Sequence, residues 1–378
     1  MMMYHNAGTR TVRAAVAACL FSGMIAGPAL LAYEPPLKPA PIEEAFLLPV
    51  PVPGALPTTT NAQPATGSAP VTPAGVAKVT NSSPATSEDI QRQISENVNR
   101  MQTFDQKHLG DTVSDEELQR VFKDFKIQKA ASSDATTRQQ AVRELPFRQM
   151  SQKDQMRCQQ VLSKVSLYRH MPTISFEVDP QAYQYFVSHP DVAVAIWRGL
   201  GVTKMNLYQT GPQEYECDDK AGTQAVVDYL FRGNGVQVVY VDGDFASPFL
   251  NKPIHGSAIF ALKSELKPQA DGRFFVTHTA DVFISFPSTA IETAAKLISP
   301  ISNVIADRNF REVSLFVHTM SKAMQNQPSW IEQMANKMDG VMPDRKAELI
   351  SLTATVYNDE RRRQQSLTGV VPAMKQGQ

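Results

Sequence analysis

The rhythm of apolar and polar positions changes several times along this chain, and each change marks a boundary. Residues 14–32 are apolar almost throughout, broken by Gly23, Gly27 and Pro28. No period survives from 33 to 86. Twelve of the chain's 26 prolines fall between Tyr33 and Ser87, among repeated Ala, Thr and Ser, as in Pro49-Val50-Pro51-Val52-Pro53. Such a segment buries too little apolar surface to offset its ordering entropy and favours extended polyproline II, so 33–86 reads as a disordered linker.

Residues 87–164 are polar with a helical rhythm. Ser87-Glu88-Asp89 opens a helix to about Gln106. Ser114-Asp115-Glu116-Glu117 opens a second, capped in the usual way and carrying Leu118, Val121, Phe122 and Phe125. A third helical stretch, 138–165, is interrupted at Pro146 and carries Cys158. Amphipathic helices of this kind pack on a neighbouring domain, on each other or on a partner.

The period shortens to two beyond Pro172. Residues 173–178 alternate as a strand that Asp179-Pro180 stops. Two short helices follow, 181–189 and 191–200, split by His189-Pro190 and closed by Gly199 and Gly201. Strands are then predicted at 204–209, 213–217, 223–231, 236–241, 255–266 and 273–286. Gly233-Asn234-Gly235 is a strong hairpin signal, because these residues tolerate positive φ. Residues 289–325 finally carry a long apolar stripe at steps of three and four, with Pro300 inside it as an expected kink. Shorter helices at 330–337 and 345–358 precede a charged, solvated tail, Arg361-Arg362-Arg363.

The expected domain is thus α+β. An antiparallel sheet of six strands, or seven with 173–178, is closed by a kinked C-terminal helix, and two short helices cap one end. Flanking helices lie outside it. A curved sheet wrapped on one helix leaves a space between them, and apolar walls make that space a ligand pocket.

Composition adds an address more than a chemistry. Lys plus Arg and Asp plus Glu are 37 each, so the net charge is zero, and no basic stripe with interleaved aromatics points to nucleic acid. Arg10 and Arg13, the apolar run and Ala29-Leu30-Leu31-Ala32 read as an export signal over 1–32, placing the protein in the periplasm or outside the cell. Two alternatives stay open: an uncleaved membrane anchor, and acylation at Cys19 within Val16-Ala17-Ala18-Cys19. Cys158 and Cys217 would then remain, enough for one disulfide or for two separate buried thiols.

Glu177-Val178-Asp179-Pro180 before the paired helices, the meander, and the helix at 289–325 resemble the START-like, helix-grip superfamily. That superfamily includes lipid-transfer domains, polyketide cyclases and related aromatic-ring proteins. Ser188-His189-Pro190-Asp191-Val192, Ile196-Trp197, residues 219–222 and Asp307-Arg308-Asn309-Phe310 further resemble an exported bacterial group of unassigned activity. The resemblance covers about 165–325, under half of the chain, and is specific for fold more than for function. The domain is bounded at 165–326, with C-terminal helices and tail over 327–378. The superfamily shares no catalytic motif, so the resemblance assigns no catalytic residue and no cofactor.

Period-two alternation nominates the cavity wall. On 273–286 one face holds Phe274, Val276, His278, Ala280, Val282 and Ile284. The preceding hairpin contributes Val227, Tyr229 and Phe231, then Val238 and Tyr240. The helices contribute Tyr183, Trp197, Ile298, Ile301 and Ile305. The same patterns describe an ordinary packed core. His278 stands alone on an apolar face, where it would fix a ligand's polar head, act as a general base, or simply be a core histidine satisfied by a backbone or tyrosine partner. Asp281 and His255 are its candidate neighbours across the sheet. None of the seven histidines has metal-ligand spacing, no Gly-x-Ser-x-Gly elbow occurs, and Gly233-Asn234-Gly235 lacks the Gly-Lys-Ser/Thr of a phosphate loop.

Three functions follow. The first is binding or transfer of a lipid-like or other hydrophobic small molecule, with transient membrane or envelope-protein contact. The second is an envelope interaction module with a filled core. The third is a cyclase or hydratase using His278 with Asp281 or a tyrosine. The volume between sheet and final helix discriminates among them.

Overall fold

The computed structural model describes residues 123–368 apart from 202, 221, 234 and 246–253; along 289–301 it describes the side chains of residues 292, 296 and 299 only. The export signal, the linker and the helix expected from Ser87 lie outside the described residues, as does the greater part of the helix expected from Ser114. Among the described residues no helix is long and apolar enough to cross a membrane.

The protein is α+β around one large antiparallel sheet. Its strands are β1 (Phe125–Lys129), β2 (Leu167–His170), β3 (Thr173–Glu177), β4 (Asn206–Gln209), β5 (Glu214–Asp218), β6 (Gln224–Gly233), β7 (Val236–Phe245), β8 (Ile254–Pro268) and β9 (Phe274–Ser285). The spatial order is β1-β3-β9-β8-β7-β6-β5-β4, with β2 also paired to β9. Strands β4 to β9 form a meander, as the alternating runs and turn residues require. At the β6–β7 hairpin Gly235 has φ +71°, and a Cβ there would meet Ser264 O at 2.3 Å, so that position takes glycine alone.

Among the described residues nine strands stand where six or seven are expected. The two additions are short and lack an alternating signal. Phe125, expected on a helix, opens β1 instead. It pairs with Phe176 on the open edge of β3, and the two rings stack at 5.7 Å. Burial against that edge overrides the local helical rhythm. β2 pairs Leu167–His170 with β9 at Ile284–Asp281, in line with β3, which pairs further along β9. Met171-Pro172 separates the two, since proline has no N–H to continue the ladder.

Helices cover both sheet faces. α1 (Ala135–Arg143) and α2 (Gln152–Leu162), separated by a 3-10 turn at Phe147–Gln149, pack on one. Asp134 and Ser151 cap them by accepting from Thr137 N and Asp154 N. The other face carries the larger core beneath α3 (Pro180–Ser188), α4 (Pro190–Gly199) and α5 (Thr289–Asn326), backed by α6 (Pro328–Lys337) and α7 (Asp344–Thr368). α5 runs as one element of 38 residues, about 57 Å at 1.5 Å per residue. The kink expected at Pro300 falls where side chains are not described. α7 continues through the expected tail, where Arg362 pairs with Asp359 and Arg363 with Glu360 one turn back.

Cys158 and Cys217 are separate thiols: Cys158 lies in the core under α2, Cys217 in the core on the opposite face. Burial pushes both up to about 12. Neither should react with a maleimide in the native protein, and both should react once it is unfolded. A native mass lower than that of the reduced protein would show a bridge instead.

Candidate functional site

Residues on three elements converge over the larger core. Asp179 accepts from Gln181 N (2.8 Å) and Ala182 N (3.0 Å), and Pro180 occupies the first turn, so α3 starts sharply. The Asp179 N–H donates to Ser321 Oγ (2.7 Å), fixing that start to α5. Pro190 then ends α3 and opens α4, folding the pair over the sheet.

Between α3–α4, the sheet and α5 lies an apolar slot. Tyr183, Phe186 and Trp197 line it from the helical pair, Tyr229, Val239, Phe260, Leu262 and His278 from the sheet, and Phe310, Val313 and Phe316 from α5. Phe316 closes it against both Trp197 (4.9 Å) and Phe186 (5.4 Å), edge to face. The free space among the described side chains is about 40 Å³.

His278 sits at its floor inside a closed hydrogen-bond chain. Ser314 Oγ donates to Phe310 O (2.7 Å), so its lone pair accepts from His278 Nε2 (2.8 Å). His278 Nδ1 is then the acceptor for the Tyr183 hydroxyl at 3.1 Å. Burial lowers the imidazole to about 3, leaving it neutral. The ring therefore has neither a spare proton to give nor a free lone pair. It is a core histidine satisfied by a tyrosine and a serine.

Of the expected site residues, Tyr183, Trp197, Tyr229 and His278 meet in the slot. Val227, Val276 and Val282 are buried on the same sheet face without lining it, and Ile305 is buried on α5. The side chains of Ile298 and Ile301 lie outside the described residues. Phe231, Val238 and Tyr240 belong to the opposite face, under α1 and α2. Two causes explain that correction. A bulge between Tyr229 and Phe231 inserts Leu230, so the alternation inverts before Phe231. On β7 both faces are covered, so Val238 and Val239 are equally apolar and hydropathy cannot say which points into the slot. Gln237 and Val239 do.

Asp281 also faces away from His278. It is 1% exposed and accepts from Tyr168 Oη (2.8 Å), His170 Nδ1 (2.7 Å) and Lys263 Nζ (3.0 Å); Lys263 in turn reaches Glu144 of the α1 cap. Burial works to raise the carboxyl, but the His170 bond, the Lys263 charge and the Tyr168 bond outweigh it and hold it below the ordinary carboxylate range. His255 pairs with Asp244 far along β8 from Ser264, the residue opposite His278, a separation of about 30 Å at strand rise. These three residues do not combine. Among the described residues no group of three or more His, Cys, Asp or Glu could hold a metal.

Sequence reasoning missed Phe310, Ser314, Gln237, Phe260 and Leu262. The alternation Ala258, Phe260, Leu262 carried a usable signal, and so did Phe310, which falls on the stripe Ala306, Phe310, Val313, Val317 at steps of four and three.

No family model matches the chain. No curated protein matches it either. Among solved structures the chain is similar to a conserved protein from Geobacillus kaustophilus, at 14% identity over 36% of this chain and 93% of that one, with a TM-score of 0.21. A superposition that loose says nothing of fold or function.

Proposed function

We infer that this chain is an exported envelope protein whose helix-grip, START-like domain works through its surface, with the grip space filled by its own side chains. Element order supports the fold reading: β3, the pair α3–α4, the meander β4–β9 and the long α5 follow one another as in that superfamily, and β3 lies beside β9. The run at 14–32 supports export, and the proline-rich 33–86 serves as the spacer that lets the domain reach a partner in the envelope.

One observation carries the functional reading. Among the described side chains the slot has about 40 Å³, room for a few waters, whereas small-molecule sites span about 300–1,000 Å³. Phe310, Phe316 and Trp197 occupy the place a ligand would take. No step of acid–base chemistry is assigned, since His278 is neutral and fully bonded.

A second reading, carriage of an apolar molecule, draws on the lining itself. Tyr183 and His278 bond each other, so an oily occupant would strand neither. It requires α3–α4 to swing off Phe316. Native mass spectrometry and lipid extraction of the protein taken from its own envelope separate the two. The filled-core reading expects the bare polypeptide mass and no saturable uptake of a fluorescent fatty acid. A co-purifying lipid would overturn it in favour of the carrier.

A further inference from the structure

Six buried side-chain atoms without a hydrogen-bond partner gather where α3 meets α4: His189 Nδ1, both carboxylate oxygens of Asp191, Arg232 Nε and Nη2, and Arg345 Nε. Asp191, in the first turn of α4, has a fully buried side chain, and its nearest cation, Arg345 Nε on α7, stands 4.0 Å away. That gap is too long for a direct hydrogen bond. Arg232 on β6 reaches Ser188 O through Nη1 at 3.3 Å and stacks on Tyr229 at 3.6 Å, leaving its other edge unused. Tyr215 approaches the same Ser188 carbonyl, and the His189 ring lies 4.9 Å from Tyr185. Three donors, two carboxylate oxygens and one imidazole nitrogen thus meet near one junction with no direct hydrogen bond among them.

A dry junction would leave these six atoms desolvated, the Asp191 carboxylate having only the backbone N–H groups of its own first turn and the distant Arg345 charge to offset its burial, which folded proteins avoid. A foreign anion is disfavoured by Asp191 and a foreign cation by the two arginines. Water donates and accepts equally, and a buried water makes about three hydrogen bonds, so about two waters satisfy the six atoms.

We propose that the α3–α4 junction is a hydrated site in which ordered water bridges Asp191 to Arg345 and Arg232, forming a latch that fastens α7 to the wall of the slot. Arg345 is suited to that task. Its Nη1 bonds Glu348 (2.7 Å), its Nη2 bonds Gln209 on β4 (3.0 Å), and its carbonyl accepts from Tyr185 of α3 (3.0 Å). One residue therefore joins α7, α3 and the sheet edge, with the water closing the link to α4. Since α3 and α4 carry Tyr183, Phe186 and Trp197, the latch holds the slot in its filled state.

A crystal structure of the full chain with ordered solvent visible tests the site. The expected result is water within about 3 Å of an Asp191 oxygen and of an Arg345 or Arg232 nitrogen. A direct Asp191–Arg345 contact, or an empty gap, overturns it. Hydrogen exchange tests the latch. In Arg345→Ala the α3 and α4 amides should exchange about tenfold faster while β8 and β9 stay unchanged. Unchanged exchange in α3 and α4, or a uniform rise through the sheet, refutes it. Arg345→Lys, which keeps the charge but replaces the three guanidinium nitrogens, Nε included, with one ammonium, is measured alongside and should show a smaller rise confined to the same helices.

Discussion

Replacing Asp281 with alanine is expected to destabilise the domain by about 3–5 kcal/mol, the range for removing one partner from a buried charge pair. The carboxylate, on β9, is the common acceptor for Tyr168 and His170 of β2 and for Lys263 of β8, so β2, β8 and β9 are joined at that point. Truncation leaves the Tyr168 hydroxyl and the Lys263 ammonium partly desolvated with an acceptor gone, although Lys263 keeps Glu144. Urea unfolding followed by circular dichroism measures the loss. Acid tests its origin. The Asp281 carboxyl is held below its ordinary value, so its contribution is fully present above the unfolded pKa of about 3.9 and fades as pH falls through the folded value. The gap between wild type and Asp281→Ala should therefore be widest near neutrality and close in acid. A difference under about 1 kcal/mol at pH 7 would mean the network is solvated and contributes as little as a surface pair.

The second large effect concerns Phe310. This ring is 1% exposed, lies 5.0 Å from His278, and fills the middle of the slot. Phe310→Ala should weaken the fold by about 3–5 kcal/mol, part of it transfer free energy and part the void left behind. The new space joins the existing 40 Å³ and has oily walls, so it should stay dry and accept benzene or indole, as engineered apolar cavities do. Saturating indole should then raise the Tm of Phe310→Ala and leave wild type unmoved. A Tm increase in the wild type would show that the slot opens unaided, and the filled-core reading would fall. An unresponsive variant with a small stability loss would mean that α5 collapses into the void.

What was legible in the sequence rests on local rules. The Asp179-Pro180 helix start, the break at His189-Pro190, the Gly233–Gly235 hairpin, the meander from β4 to β9 and the extent of α5 each follow from spacing or from a residue's own backbone limits. So does the inward set on β9, because that strand alternates without interruption: Val276, His278, Ala280 and Val282 share one face and Asp281 the other. The pairing of His278 with Asp281 in one reaction was thereby already strained by parity.

The tertiary structure decided everything that depends on what lies opposite. A single inserted residue, Leu230, sent Phe231 to the far face, and no local signal marks that bulge. Two covered faces made β7 apolar on both sides from Val238 to Val241, so hydropathy could not show that Val238 and Tyr240 join the α2 side while Val239, with Gln237, faces the slot. Phe125 and Leu167 became strand residues because open ladder edges on β3 and β9 were there to receive them. The partners of His278, the separation of the two cysteines and the volume beneath α5 are likewise sums over distant segments. Periodicity reports which side of an element avoids water; the distance to the next element, and hence the room left for a ligand, exists only once the chain has packed.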